Sequence, residues 1–191
     1  MINIIKKDTL IEDLNNYDFV IIPTNCYCTF PDGFARKIRK LYPYSFDADV
    51  GTKYGDKNKL GTIIEATKKG MPSFLILYVT FGYNFRPDKY KDYLDYDALE
   101  TCLKRIDIEY SGKEIATPFI GCNRFDGNGD KERVKELLNK NIIHLNLTVY
   151  DYFQKSRDEE MVEIFKKEEL MKNKNYKAYI NMVKKRKNNI L

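Results

Sequence analysis

Asn25, Asp32 and Gly33 stand where a β-branched apolar run gives way to a basic amphipathic one. The stretch Val20 to Lys40 passes from Val-Ile-Ile-Pro through a turn with Pro31, Asp32 and Gly33 into Phe-Ala-Arg-Lys-Ile-Arg-Lys. An unbroken apolar run suits a strand covered on both faces. After it the period changes, because Phe34, Ile38 and Leu41 recur at helical spacing with Arg36, Lys37, Arg39 and Lys40 between them. A strand, a turn-forming loop and a helix N-terminus together offer unpaired backbone N–H groups and the positive end of a helix dipole to an anion. Phosphate is therefore the first ligand these residues suggest. A second glycine-bearing loop, Gly121 to Asp130, follows the apolar run Ile115 to Ile120 and precedes another amphipathic run over Val134, Leu137 and Leu138, with Asp130 placed as N-cap.

The elements needed to position these loops are legible as alternating strands and helices. Met1 to Ile5 reads as a first strand, and Asp8-Thr9 supply cap chemistry for a turn through Leu10, Ile11 and Leu14. Pro43 reads as the stop of the first helix, and residues 44 to 61 as a long polar excursion. Thr62 to Thr67 and Phe74 to Thr80 read as strands joined by a turn with Gly70 and Pro72. Residues 81 to 94, aromatic, charged and aperiodic, read as a surface loop before a helix over Tyr96, Leu99, Cys102, Leu103 and Ile106. Ile142 to Tyr150 reads as the last strand, with His144 inside it. This order implies an α/β domain with a mostly parallel sheet, in which ligands sit beyond the carboxyl ends of strands.

Composition bounds the partners. A chain of 191 residues with 43% hydrophobic and 14% aromatic content has room for one ordinary domain and a core. Lys and Arg outnumber Asp and Glu by 22 to 21 over residues 1 to 150 and by 11 to 7 over residues 151 to 191. The tail thus carries most of the net positive charge, and the body is not a nucleic-acid binder by charge. Its paired Glu, Lys and Asn residues favour a long charged helix or two helices ending in a basic cluster, open to nucleic-acid or protein contact. No apolar stretch approaches a membrane span, so no membrane partner is expected and a cytoplasmic location is the default. The four cysteines and the single histidine lack paired metal spacing; no metal is expected, and Cys26 and Cys122 read as packing thiols.

The run Asn25-Cys26-Tyr27-Cys28-Thr29-Phe30-Pro31-Asp32-Gly33-Phe34-Ala35 resembles the first ligand loop of macrodomains. The resemblance is to the phage and bacterial subgroup related to ADP-ribose 1''-phosphate phosphatases, where Asn-Cys-Phe-Cys-Thr-Met-Gly-x-Gly-Ile-Ala is typical. Gly55-Asp56-Lys57-Asn58-Lys59-Leu60-Gly61, Tyr96-Asp97-Ala98-Leu99 and Pro118-Phe119-Ile120-Gly121-Cys122 follow in the same order. The resemblance spans residues 1 to 152 and leaves the charged helical extension, residues 153 to 191, uncovered.

What the resemblance implies is a three-layer sandwich, a mixed sheet of six strands between helices, binding ADP-ribose in a cleft above the sheet without a cofactor. Carried over by position, Asp8 accepts the adenine amino group with Thr9 beside it, and Asn25 bonds the distal ribose. Asp32, Gly33 and Phe34 line the diphosphate, and Gly121, Cys122, Asn123, Arg124, Phe125 and Asp126 close over it. Three readings follow: hydrolysis of ADP-ribose 1''-phosphate or of ADP-ribose esters, non-catalytic binding of ADP-ribose, or a diverged fold serving as an interaction or nucleic-acid module. Hydrolysis leads, with Asn25 holding the ribose and Asp32 or Asp126 as general acid or base, since no histidine lies near either loop. The sequence departs from the family at Pro31, which removes an N–H, at Asp32, which sets a carboxylate beside the presumed diphosphate, and at Asn123, where glycine is usual. Read without the resemblance, Asn25 is a turn former, Asp8 an N-cap and Phe125 a loop anchor.

Overall fold

Six strands pair into one mixed sheet between two helical layers in the computed structural model, which describes residues 1–7, 9–30, 33–82, 93–122 and 127–152. The strands are β1 (Ile2–Lys6), β2 (Phe19–Asn25), β3 (Ile63–Ala66), β4 (Phe74–Thr80), β5 (Glu114–Pro118) and β6 (Asn146–Asp151), in the order β1-β6-β5-β2-β4-β3. Every neighbouring pair is parallel except β3 and β4. The α-helices among the described residues are α1 (Gly33–Leu41), α2 (Pro43–Val50), α3 (Tyr96–Glu109) and α4 (Lys131–Asn141). A 3₁₀ turn, Ile11–Asn16, follows β1, and another, Lys57–Lys59, precedes β3. All of these elements fall in one compact unit, Met1–Tyr152.

Alternation along the central strands builds the two faces. Ile21, Leu75, Leu77, Val79, Ile115, Leu147 and Val149 point to the layer of Leu99, Leu103, Ile106, Val134 and Leu138 from α3 and α4. Val20, Ile22, Phe74, Ile76 and Tyr78 point the other way, to Leu10, Leu14, Phe30, Ala35 and Ile38. All seven residues of β4 are buried, as expected of a strand covered on both faces. Each fully buried aliphatic side chain contributes roughly 1.5 to 3 kcal/mol of transfer free energy. The N-caps are local: Asp95 accepts from the Ala98 N–H at 2.9 Å, and Asp130 from the Arg133 N–H at 2.8 Å, as its sequence position predicts.

Two segments differ from the sequence reading. α1 ends at Leu41, ahead of Pro43 as expected, but Pro43 then opens α2 where a polar excursion is expected, because proline's fixed φ and missing N–H suit the first helical position. The buried residues of α2 are Ser45 and Asp49, so it carries no apolar stripe to be read. The last strand begins at Asn146 and not at Ile142. His144 therefore lies before the strand, where Asp107 at the end of α3 accepts from the backbone N–H groups of Ile143 and His144, each at 2.7 Å, and meets the His144 ring Nδ1 at 2.6 Å. That carboxylate, together with the Gly112 N–H that donates to the His144 carbonyl at 2.8 Å, holds the chain there.

Candidate functional site

The carboxyl halves of β2 and β5 do not pair. Their register stops at Phe19↔Ile115 and Val20↔Ala116, although β2 continues with β4 as far as Asn25↔Thr80 and β5 with β6 as far as Pro118↔Tyr150. Pro23 and Pro118 lie in these halves, and neither can donate to a ladder. The chain leaves β2 toward β4 on one side and β5 toward β6 on the other, so the parted ends form the topological switch point of the sheet. Both glycine-bearing loops open from it. Thr24, buried on β2 at this position, has a hydroxyl oxygen with no hydrogen-bond partner among the described residues.

The loop after β2 is shaped by side-chain polar atoms. Asn25 is buried; its Oδ1 accepts from the Tyr27 N–H at 2.9 Å and its Nδ2 donates to Thr29 Oγ1 at 2.9 Å. This closes an Asx turn, which tolerates the left-handed backbone that follows, with φ of 49° at Cys28 and 41° at Phe30. Arg39 of α1 donates to the Thr29 carbonyl and lies 3.7 Å from the Phe46 ring centroid. Tyr27 stands edge-on to Tyr54 and Phe81, with ring centroids 5.2 and 5.4 Å away. Gly33 and Phe34 form the first turn of α1, at the carboxyl end of β2.

Beneath this loop lies a polar cluster that sequence reasoning missed. Lys59 Nζ donates to the Cys26 carbonyl at 3.2 Å and to Cys28 Sγ at 3.0 Å, and faces Asp49 Oδ1 at 3.8 Å. Tyr78 donates to Asp49 Oδ1 at 2.6 Å, and its ring centroid lies 4.2 Å from Lys59 Nζ. Burial pushes the Asp49 carboxyl above the usual carboxylate range, although the Tyr78 hydroxyl, Lys59 and the Cys28 thiol oppose that shift. Burial likewise raises the Cys26 thiol to about 11, which makes it a poor nucleophile at neutral pH. The buried face of α2 is polar, Ser45 and Asp49, so no apolar period marks it in the sequence.

The loop after β5 is shaped instead by close backbone approach. Gly121 has φ of 66°, its carbonyl accepts from the Gly129 N–H at 2.9 Å, and the Gly127 carbonyl accepts from the N–H groups of Tyr93 and Leu94 at 2.7 and 3.1 Å. A Cβ at Gly127 would lie 2.4 Å from the Gly121 carbonyl oxygen, and one at Gly129 would lie 2.6 Å from the Leu94 side chain. The base of the loop is thus pinched shut by glycines. Cys122 Sγ bonds the Ile120 carbonyl at 3.5 Å.

Thr9 lies at the same edge of the sheet, just past the end of β1, where its Oγ1 accepts from the Ile11 N–H at 3.1 Å. β1 and β2 are separated by β6 and β5, three strand spacings or roughly 14 Å. A ligand reaching from Thr9 to Asn25 is therefore longer than a single nucleoside. Tyr152, at the end of β6, accepts a hydrogen bond from the Leu10 N–H and adds an aromatic wall that sequence reasoning left unassigned. Thr9, Asn25, Gly33, Phe34, Gly121 and Cys122 all sit at this edge; Asp8, Asp32, Asn123, Arg124, Phe125 and Asp126 lie outside the described residues. No cluster of metal-ligating side chains occurs among the described residues, and no described helix is long and apolar enough to cross a membrane.

No protein-family model and no curated protein matches the chain. Solved structures do. A protein of unknown function from Bacteroides thetaiotaomicron is 18% identical with a TM-score of 0.60, the match covering 79% of this chain and 98% of that one. The macrodomain of Mycobacterium tuberculosis DarG is 18% identical with a TM-score of 0.57, over 78% of this chain and 97% of that one. Thermosipho africanus DarTG, solved in complex with ADP-ribose, is 15% identical with a TM-score of 0.56, over 73% of this chain and 39% of that one. The fold is thus the macrodomain-like α/β sandwich that the four sequence strings imply.

Proposed function

We propose that the chain binds ADP-ribose or a derivative in the crevice where β2 and β5 part, and hydrolyses it. The observation that carries this reading is the unpaired switch point with a strand–loop–helix turn on one side and a glycine-pinched loop on the other. The ADP-ribose complex of the Thermosipho africanus neighbour supports the ligand. In this reading Asp8 and Thr9 hold the adenine end, Asn25 the distal ribose, and the backbone of Gly33 and Phe34 the diphosphate, with residues 121 to 126 closing over it.

The reaction is phosphate release from ADP-ribose 1''-phosphate, or removal of ADP-ribose from an esterified target, as in the phage and bacterial phosphatase-type subgroup. It proceeds by a positioned water, with backbone N–H groups stabilising charge on phosphate. Asp32 is the carboxylate proposed to take the proton from that water, with Asp126 as the acid on the other loop. Cytoplasmic location belongs to this reading, and so does an auxiliary contact of residues 153 to 191 with nucleic acid or protein, whose affinity would fall steeply with salt if the partner is nucleic acid.

Calorimetry with ADP-ribose tests the binding half. No heat at high ligand concentration would leave the interaction-module reading in its place. The Asp32→Asn variant tests the catalytic half: it retains or tightens ADP-ribose binding and cuts phosphate release by a factor on the order of 100. A wild-type chain that binds ADP-ribose but releases nothing from the phosphate monoester or from ADP-ribosylated protein is a binder only. The commitment of the Asn25 side chain to Tyr27 and Thr29 is the observation that favours this second reading.

A further inference from the structure

Cys28 and Lys59 form a pair that the ligand reading does not use. The Lys59 ammonium lies 3.0 Å from Cys28 Sγ, and the sulfur also meets Thr52 Oγ1 at 3.4 Å. Lys59 is 8% exposed and Asp49 is 0% exposed, whereas Cys28 is only half-buried. Of these three residues Cys28 is thus the one with surface by which a small oxidant can approach, while the amine beside it stays out of bulk water. The other titratable or charged side chains near the pair include Tyr78, bonded to Asp49 Oδ1, the Cys26 thiol and Asp56. The Asp49 carboxyl faces both members of the pair: Oδ1 lies 3.8 Å from Lys59 Nζ, and the Cys28 thiol also acts on the carboxyl.

We propose that Cys28 and Lys59 are a modification site, joined by a reversible sulfur–nitrogen cross-link when the protein meets a hydroperoxide. In the first step the Cys28 sulfur attacks a peroxide oxygen. An S–O bond forms, the O–O bond breaks, the sulfur is oxidised to a sulfenic acid, and the peroxide is reduced to water. In the second step Lys59 passes one ammonium proton to Asp49, and the freed amine attacks the sulfur. The S–N bond forms, the S–O bond breaks, and hydroxide leaves as water with a further proton from the nitrogen. A thiol, an ammonium, a carboxylate and one peroxide thus give the linkage, a carboxylic acid and two waters.

Contact distance replaces a bimolecular encounter in the second step. The raised carboxyl of Asp49 suits a group that ends protonated. Competing thiols are placed less well: Cys26 and Cys102 are fully buried, with their thiols pushed to about 11 and about 12 by burial. The linkage would tie the loop after β2 to the turn Lys57–Lys59, whether or not a nucleotide binds.

The test treats the full chain with hydrogen peroxide, digests it with trypsin and reads the peptides by mass spectrometry. The expected product joins the Cys28 and Lys59 peptides, weighs two hydrogens less than their sum, is uncut after Lys59 and separates on reduction with dithiothreitol. A linked peptide carrying one further oxygen reports the S–O–N form, made with a second equivalent of peroxide and loss of one more water, and supports the same pairing. Cys28→Ser abolishes the product, and so does Lys59→Arg, which keeps the cation but not the nucleophilic amine. The wild-type digest is decisive even where a variant fails to fold. Conversion of Cys28 to a sulfinic acid, or to a disulfide with Cys26, with cleavage after Lys59 undiminished, would overturn the proposal.

Discussion

The loop after β2 and the loop after β5 face one crevice and are held by opposite means. The first hangs on polar side-chain atoms: Asn25 from within, Lys59 from below and Arg39 from α1. The second hangs on glycines that let the backbone meet itself, with Leu94 wedged against Gly121 and Gly129. A loop held by side chains responds to charge, pH and chemical modification. One held by backbone contact responds to the volume of a single methyl group. The proposed site is therefore chemically adjustable on one wall and sterically fixed on the other.

Lys59→Met breaks the comparison most severely, because it leaves the buried Asp49 without its cation. Denaturant unfolding at neutral pH should show a loss of about 4 kcal/mol. The sign of its pH dependence follows from Asp49, whose folded pKa is raised and rises further in the variant. A raised folded value contributes stability that is present below the unfolded pKa and lost as pH rises through the folded one. The variant's deficit should therefore shrink toward acid and grow toward neutral pH, and a deficit independent of pH would exclude Asp49 as its cause.

Gly127→Ala tests the other wall. The added Cβ meets a backbone carbonyl that no rotamer change can move, so thermal unfolding should report a loss of about 3 kcal/mol. Unchanged stability would mean that the pinch is not rigid. Asn25→Ala should weaken ADP-ribose binding by about 2 kcal/mol in calorimetry, and the melting temperature of the same variant separates loss of the Asx turn from loss of a ligand contact. Equal affinity in the variant removes Asn25 from the site.

The amino end of the sheet sharpens the contrast, since no ligand is proposed there. Burial tends to raise the Asp107 carboxyl, but the His144 and Ile143 N–H groups and the His144 ring together hold it below the usual range. A depressed folded value contributes stability above the unfolded pKa that is lost as pH falls through the folded one. Asp107→Asn should therefore cost about 1 kcal/mol near neutral pH, vanish as a difference in acid, and leave ADP-ribose affinity unchanged. The smallest effect is expected from a chain ending at Tyr152, which should keep its cooperative melt within about 0.5 kcal/mol; an insoluble product would move the proposed boundary.

The strands that carry the site were legible because a strand buried on both faces must be an apolar run, and Val20 to Ile22 and Phe74 to Val79 are such runs. Asp130 as N-cap was legible for a related reason, since a cap is decided by residues adjacent in sequence. Glycine at 121 was likewise readable as a turn. What the residues alone could not show was which strands lie side by side, and therefore that β2 and β5 part where their loops begin. Nor could they show that Lys59, written in a polar excursion, returns under Cys28, or that Asp107 meets His144. Those contacts join residues 31 and 37 positions apart, and whether such a pair meets depends on the packing of everything between them. Sequence determined the elements and their caps, because those are short-range. Tertiary structure decided the crevice and the charge beneath it, because a buried polar group is recognised only when its partner is beside it.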